Sequence, residues 1–230
     1  MEMRSLDRVL GLLATLAGLT VAVMVVCILS TRSSQDFFQS ARSIEAYNAF
    51  AALPLGPLGL RLNLGLDNLF MVFYGAFFVV LTVRLRGMLD SRLLTIALTA
   101  LMLTVLLDSI ENHHIMTMVH SIQTGLPVST TDGQLQMIAS QVKFHASYLG
   151  VLLFSFGYLQ FGGLGRVIAI ALWCYVPIGV LISVFPVEQA GALVLGRTMF
   201  FVVAFILSAV LFFSMAATSA EASPAAALKQ

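Results

Sequence analysis

In LLTIALTALMLTVLLDSIENHHI, residues Leu93 to Ile115, an uncharged helical run leads into a dense group of ionisable side chains. The run from Leu93 to Leu107 contains only leucine, isoleucine, alanine, threonine, methionine and valine. As a helix it is about 22 Å long, and its composition suits hydrocarbon or a bundle core. Asp108, Glu111, Asn112, His113 and His114 follow at once. Ionisable groups on a membrane-buried helix are costly, so their presence marks a packing site or a functional one.

The whole chain has the same character. Hydrophobic residues make up 59% of the 230 and charged residues 10%, against about 25% charged in a soluble domain. Mean hydropathy is +0.97. The formal charge of +1 leaves no basic surface of the kind nucleic acid requires, so no nucleic-acid partner is expected. Cys27 and Cys174 lie in apolar runs without metal-ligand spacing and read as small hydrophobes.

Six apolar runs are long enough to span a bilayer: Val9 to Ser30, Leu66 to Val83, the run after Arg92, Leu135 to Phe161, Arg166 to Phe185, and Leu193 to Ala216. Arg4 and Arg8 ahead of the first resemble a signal-peptide start. The run is too long for an h-region and no small-x-small site follows, so it reads as an uncleaved span. Arg84, Arg86 and Arg92 crowd one short loop, which the positive-inside rule places in the cytoplasm. With Arg166 at the next inner loop, both termini fall inside. Inner segments then carry seven basic and four acidic residues, outer segments five and seven. The expected fold is an all-α polytopic transmembrane bundle, multi-pass in the inner (plasma) membrane. Residues 1–217 form its single domain and 218–230 a disordered cytoplasmic tail.

One outer connection, residues 31–65, is long. At its end leucines 58, 60, 62, 64 and 66 alternate with Gly59, Arg61, Asn63, Gly65 and Asp67. Period two predicts an extended lip lying on protein, with Arg61 projecting above the bundle.

Counting from the cytoplasmic arginines, Asp108 and Glu111 lie about 24 and 28 Å from the inner face and Asp67 about 25 Å. Lys143 and Arg197 reach the same outer layer by the same count. On the third span Thr104, Asp108, Glu111 and Asn112 share a stripe, and on the fourth Gln136, Ser140, Lys143, Ser147 and Gly150 form another. Joined by an outer loop, these helices are antiparallel neighbours, which sets Lys143 against Asp108 or Glu111.

Lys143 as the counter-ion that lets the acids exist near hydrocarbon is the simplest reading. The acids also outnumber the bases, and Asn63, Asn68 and Asn112 add acceptors. The expected site is therefore an acid-rich pocket near the extracytoplasmic face, formed by Asp67, Asn68, Asp108, Glu111, Asn112 and Lys143 with Arg61 and Arg197. It would take a small ligand, a cation or a lipid headgroup, or support another membrane subunit.

The competing reading is a membrane-embedded, metal-dependent hydrolase or oxidoreductase acting on a lipophilic substrate. Glu111-x-x-His114 has the spacing of carboxylate-bridged metal sites in bundles, with Asp108 as a third ligand to a divalent metal. Haem between His113 or His114 and His145 is the weaker cofactor alternative, because interfacial histidines are commoner than haem ligands.

Overall fold

A computed structural model of the chain describes residues 3–40, 55–184 and 187–221. Among these residues the long elements are all helices: α1 Met3–Thr31, the short α2 Gln35–Ser40, α3 Gly56–Leu85, α4 Ser91–Thr124, α5 Thr130–Tyr158, α6 Gly162–Val184 and α7 Val187–Glu221. Their ends follow local chemistry. Pro57 sits in the first turn of α3, where a missing N–H costs nothing. The Asp90 carboxylate accepts from Arg92 N at 2.8 Å to cap α4, and Gly125 closes it in the left-handed conformation, φ 71°.

Five stretches are long and apolar enough to cross a membrane. The expected fourth and fifth spans fall together in one of them, Thr130–Val184, of 55 residues. It is not one rod. After the 3₁₀ turn Leu159–Phe161 the chain reverses at Gly162, whose φ of 78° suits a residue without a Cβ. The α6 helix then runs back along α5. Trp173 Nε1 donates to Ser155 Oγ at 2.6 Å, and the Ser147 and Tyr175 hydroxyls are 2.9 Å apart. Pro177 lies inside α6.

The extended lip is corrected: Leu58 to Asp67 belong to α3. Alternation reports a strand only where one face is wet. In hydrocarbon a leucine is at home on any side of a helix, whereas extended backbone leaves its polar groups unsatisfied. Leu58 and Leu62 accordingly face outward at 56% and 51% exposure, while Leu60 and Leu64 are buried with Asn63 and Asp67. The connection between α1 and α3, expected over residues 31–65, shrinks to residues 32–55, of which 41–54, including Arg42 and Glu45, lie outside the described residues. At the other end of the chain α7 continues to Glu221, past the expected boundary at Ala217, and residues 222–230 lie outside the described set.

The long helices pack as a closed ring in which α1 touches α3 and α7, α3 touches α4, α4 touches α5, α5 touches α6 and α6 touches α7. At one end, Arg84 Nε donates to Asp7 Oδ1 at 2.7 Å, both buried, joining the start of α1 to the end of α3. The same guanidinium lies 5.1 Å from the Phe161 ring at the α5–α6 turn. Above this basic end the ring is filled by aromatics: Phe77 and Phe78 of α3 meet Phe205 of α7 at 5.5 and 6.4 Å, and Phe78 meets Phe154 of α5 at 5.1 Å. The polar layer lies beyond this plug, at the opposite end. Outward residues such as Val26, Val72 and Val184 are more than 60% exposed, a surface made for lipid.

The α4–α5 seam is the most extensive contact. It closes at Gly150, where an added Cβ would stand 2.5 Å from Leu101 Cγ and 3.2 Å from the Ala97 carbonyl oxygen. Gly150→Ala is expected to cost about 1–3 kcal/mol. Gly65→Ala, where a Cβ meets nothing within 4 Å, should be neutral or stabilising by up to about 1 kcal/mol. Unfolding in detergent distinguishes them, and equal effects would contradict the packing described.

Candidate functional site

The site is built where α4 and α5 face one another. Helical spacing places Asp108, Glu111 and Asn112 on the inner stripe of α4 and Gln136, Ser140, Lys143 and Ser147 on that of α5, all buried. The Lys143 ammonium donates to Asp108 Oδ1 and to Glu111 Oε2. The Ser140 hydroxyl donates to Glu111 Oε1, and Gln136 Nε2 reaches the same oxygen at 3.3 Å. Gln136 also donates to the Phe38 carbonyl at 3.2 Å, tying α2 to the cluster. The Tyr74 hydroxyl of α3 donates to Asp108 Oδ2 at 3.1 Å. Thr104 Oγ1 donates to the Lys143 carbonyl at 3.3 Å.

Glu111 and Asp67 occupy different positions. Glu111 is fully buried, and both its oxygens accept from α5. Asp67 takes its hydrogen bonds from amides. Asn112 Nδ2 donates to it at 2.8 Å and to Asn68 Oδ1 at 3.0 Å, and Gln35 is a further hydrogen-bonding neighbour.

Asp67 and Asp108 line a cavity of about 140 Å³ inside the ring, and Glu111 does not. All seven helices contribute to its wall. One side is polar, with Gln35, Asn63, Asp67, Asp108 and Lys143. The other is hydrocarbon and aromatic, with Val21, Met24, Val25 and Ile28 of α1 and Phe201 of α7. The volume equals four or five water molecules at about 30 Å³ each. Asn63 is fully buried on this wall, and among the described residues neither its amide atoms nor Gln35 Oε1 has a hydrogen-bond partner. Buried polar atoms in that condition normally meet water or a ligand.

Arg197 lies on the cavity wall, as its depth implied, with its guanidinium 3.8 Å from the Phe144 ring centroid. Lys143 Nζ is 5.1 Å from the same ring. Arg61 is not gathered. It is exposed and donates to Gln123 Oε1 across the α3–α4 surface. Asn68 is exposed and reaches the site only through Asn112.

The metal set is not gathered either. His114 Nδ1 is 2.9 Å from Asp132 Oδ1 in the first turn of α5, while Glu111 is held by Lys143 and Ser140. Residues 111 and 114 are three apart, but their side chains engage different partners. Among the described residues no group of three His, Cys, Asp or Glu side chains is placed to hold a metal ion. His145, the residue opposite in the haem alternative, is exposed and bonded to its own Gln141 carbonyl at 2.7 Å.

Two contributors escaped the sequence reading. Tyr74 lies two turns from Asp67 on the inner face of α3, a signal that was present. Gln35 comes from a short helix whose docking on the bundle has no local sequence signature.

Removing one member of a buried charge cluster leaves the others uncompensated, at about 3–5 kcal/mol. Lys143→Met should therefore destabilise the protein severely. The triple change Lys143→Met, Asp108→Asn, Glu111→Gln, which removes every charge in the group, should recover most of the loss. Unfolding in detergent reads both, and a triple variant as unstable as the single one would contradict the shared ion pair. No protein-family model, curated protein or solved structure matches this chain, so its function rests on this geometry.

Proposed function

We propose that the chain is a multi-pass inner-membrane protein, one domain of six crossings with both termini in the cytoplasm, whose central cavity binds a small ligand through a positively charged hydrogen-bond donor. The orientation is supported by the basic end of the bundle, where Arg84 meets Asp7, Arg86 follows α3 and Arg92 lies in the first turn of α4. The polar cavity then faces the outer leaflet.

The observation that carries the ligand reading is Asn63 together with Asp67. A buried amide with no partner among the described residues stands beside a carboxylate that hydrogen-bonds to amides, on the wall of the cavity. Lys143 already serves two carboxylates. Acceptors in such surplus favour an incoming cation that can donate. Asp67 and Asn63 would bind it, Asp108 would add negative charge, and Glu111 would hold the helices in place. The aromatic plug beneath the cavity supports binding rather than passage across the membrane.

Ethanolamine is the minimal probe. It should raise the unfolding temperature of the purified protein saturably, and Asp67→Asn should remove that effect while keeping the fold. No stabilisation of the unaltered protein, or equal stabilisation of the variant, contradicts the reading. A reporter active only outside the cytoplasm, fused at Asp132, should be active. Activity only from a cytoplasmic reporter there would overturn the orientation.

A further inference from the structure

The α1 and α7 helices enclose a second space. On their lipid-facing side a groove of about 530 Å³ runs between Ala14, Gly18 and Ala22 of α1 and Val202, Ile206 and Ala209 of α7. Small residues line it on α1, and a Cβ added at Gly18 would stand in ordinary contact with Ile206 and Phe205 at 3.8 Å. The groove adjoins the polar cavity. Val21 and Phe201 line the cavity, and their neighbours Ala22 and Val202 line the groove. Near this junction Val25 and Ile28 of the cavity wall are half-exposed, so the cavity reaches the lipid-facing surface along the same seam.

The dimensions match a lipid. Ala14 to Ala22 cover about 12 Å of helix, most of the hydrocarbon depth of one leaflet of a core about 30 Å thick. The cavity is large enough for a small polar head and too small for a whole amphiphile. Its chemistry is divided in the same sense. Acceptors gather at Asp67, Asn63 and Gln35, while Arg197 and Thr198 line the cavity from α7, the helix that also walls the groove, with the Arg197 guanidinium over Phe144. Among the described residues Asn63 has an unused donor as well as an unused acceptor, which suits a head carrying both kinds of group.

We infer that cavity and groove form one site for a phospholipid with a primary-amine head: its ammonium at Asp67 and Asn63, its phosphate beside Arg197, and an acyl chain in the α1–α7 groove. The inference rests on the cation-binding reading above and adds the lipid. A free amine would satisfy the cavity alone, and only a lipid uses both spaces.

Native mass spectrometry of the full chain in detergent, titrated with lipids of identical chains, tests it. Phosphatidylethanolamine should bind about tenfold or more tightly than phosphatidylglycerol, which has no amine, and than phosphatidylcholine, whose ammonium has no N–H to donate. Asp67→Asn should abolish that preference. Ala22→Phe, or Ala209→Leu should the first fold poorly, fills the groove and should weaken phosphatidylethanolamine binding severalfold while ethanolamine still stabilises the protein. Equal affinity for the three lipids, or unchanged lipid binding in a folded groove variant, overturns the lipid site and leaves the amine reading standing. Loss of neither lipid nor ethanolamine binding in Asp67→Asn overturns both.

Discussion

The Lys143 ammonium shared between Asp108 and Glu111 is the constraint on which the rest of this bundle depends. Between helices in lipid there is little hydrophobic driving force, because a leucine is as well solvated by acyl chains as by another leucine. Register and orientation must come from close packing and from polar groups that have no alternative partner. One cation and two anions across a single seam supply that. None can turn toward lipid without leaving the others unpaired in a low-dielectric interior. Tyr74 extends the group to α3 and Gln136 to α2, so the chemistry that fixes α4 against α5 also positions the helices around the cavity.

The acids of the layer therefore divide the work. Glu111, at the back, is saturated by α5 and closed to any ligand of the cavity. Asp67, on α3, faces the cavity beside an amide that no described residue satisfies. Asp108 does both, binding Lys143 with one oxygen and Tyr74 with the other while lining the cavity. A cluster that looks like one acidic site in sequence is a Lys143–Asp108–Glu111 group with a cavity beside it, lined by Asp67 and Asp108. The aromatic fill below it gives the cavity a floor.

Much of this was legible in the residues. The composition carried the all-helical membrane class, and counting helical rise from the arginines at the span ends brought Asp67, Asp108, Lys143 and Arg197 to one level. The two stripes of α4 and α5 identified the seam, because polar groups at i, i+3 and i+4 in an apolar helix face protein rather than lipid. The Leu58–Asp67 alternation misled because a bilayer removes the wet face that gives period two its meaning. Arg61 was lost with it: on a helix its side chain falls on the outer side of α3 and meets Gln123 instead. Glu111-x-x-His114 has metal spacing, yet sequence spacing does not say which neighbour each side chain meets, and Asp132 draws His114 away. The α1–α7 groove was outside the reach of the sequence, which showed the small residues on α1 without the helix they oppose.

The shared ion pair can be observed directly, since the chain has only two lysines, Lys143 and Lys229. Solid-state NMR of protein labelled with ¹⁵N at lysine Nζ and ¹³C at the side-chain carboxyls, in lipid, would read the dipolar coupling between Lys143 and its acids. Strong coupling to two distinct carboxyl carbons, one lost in Asp108→Asn and the other in Glu111→Gln, is the predicted result. Coupling to one carboxyl only, or to none, would contradict the shared ion pair.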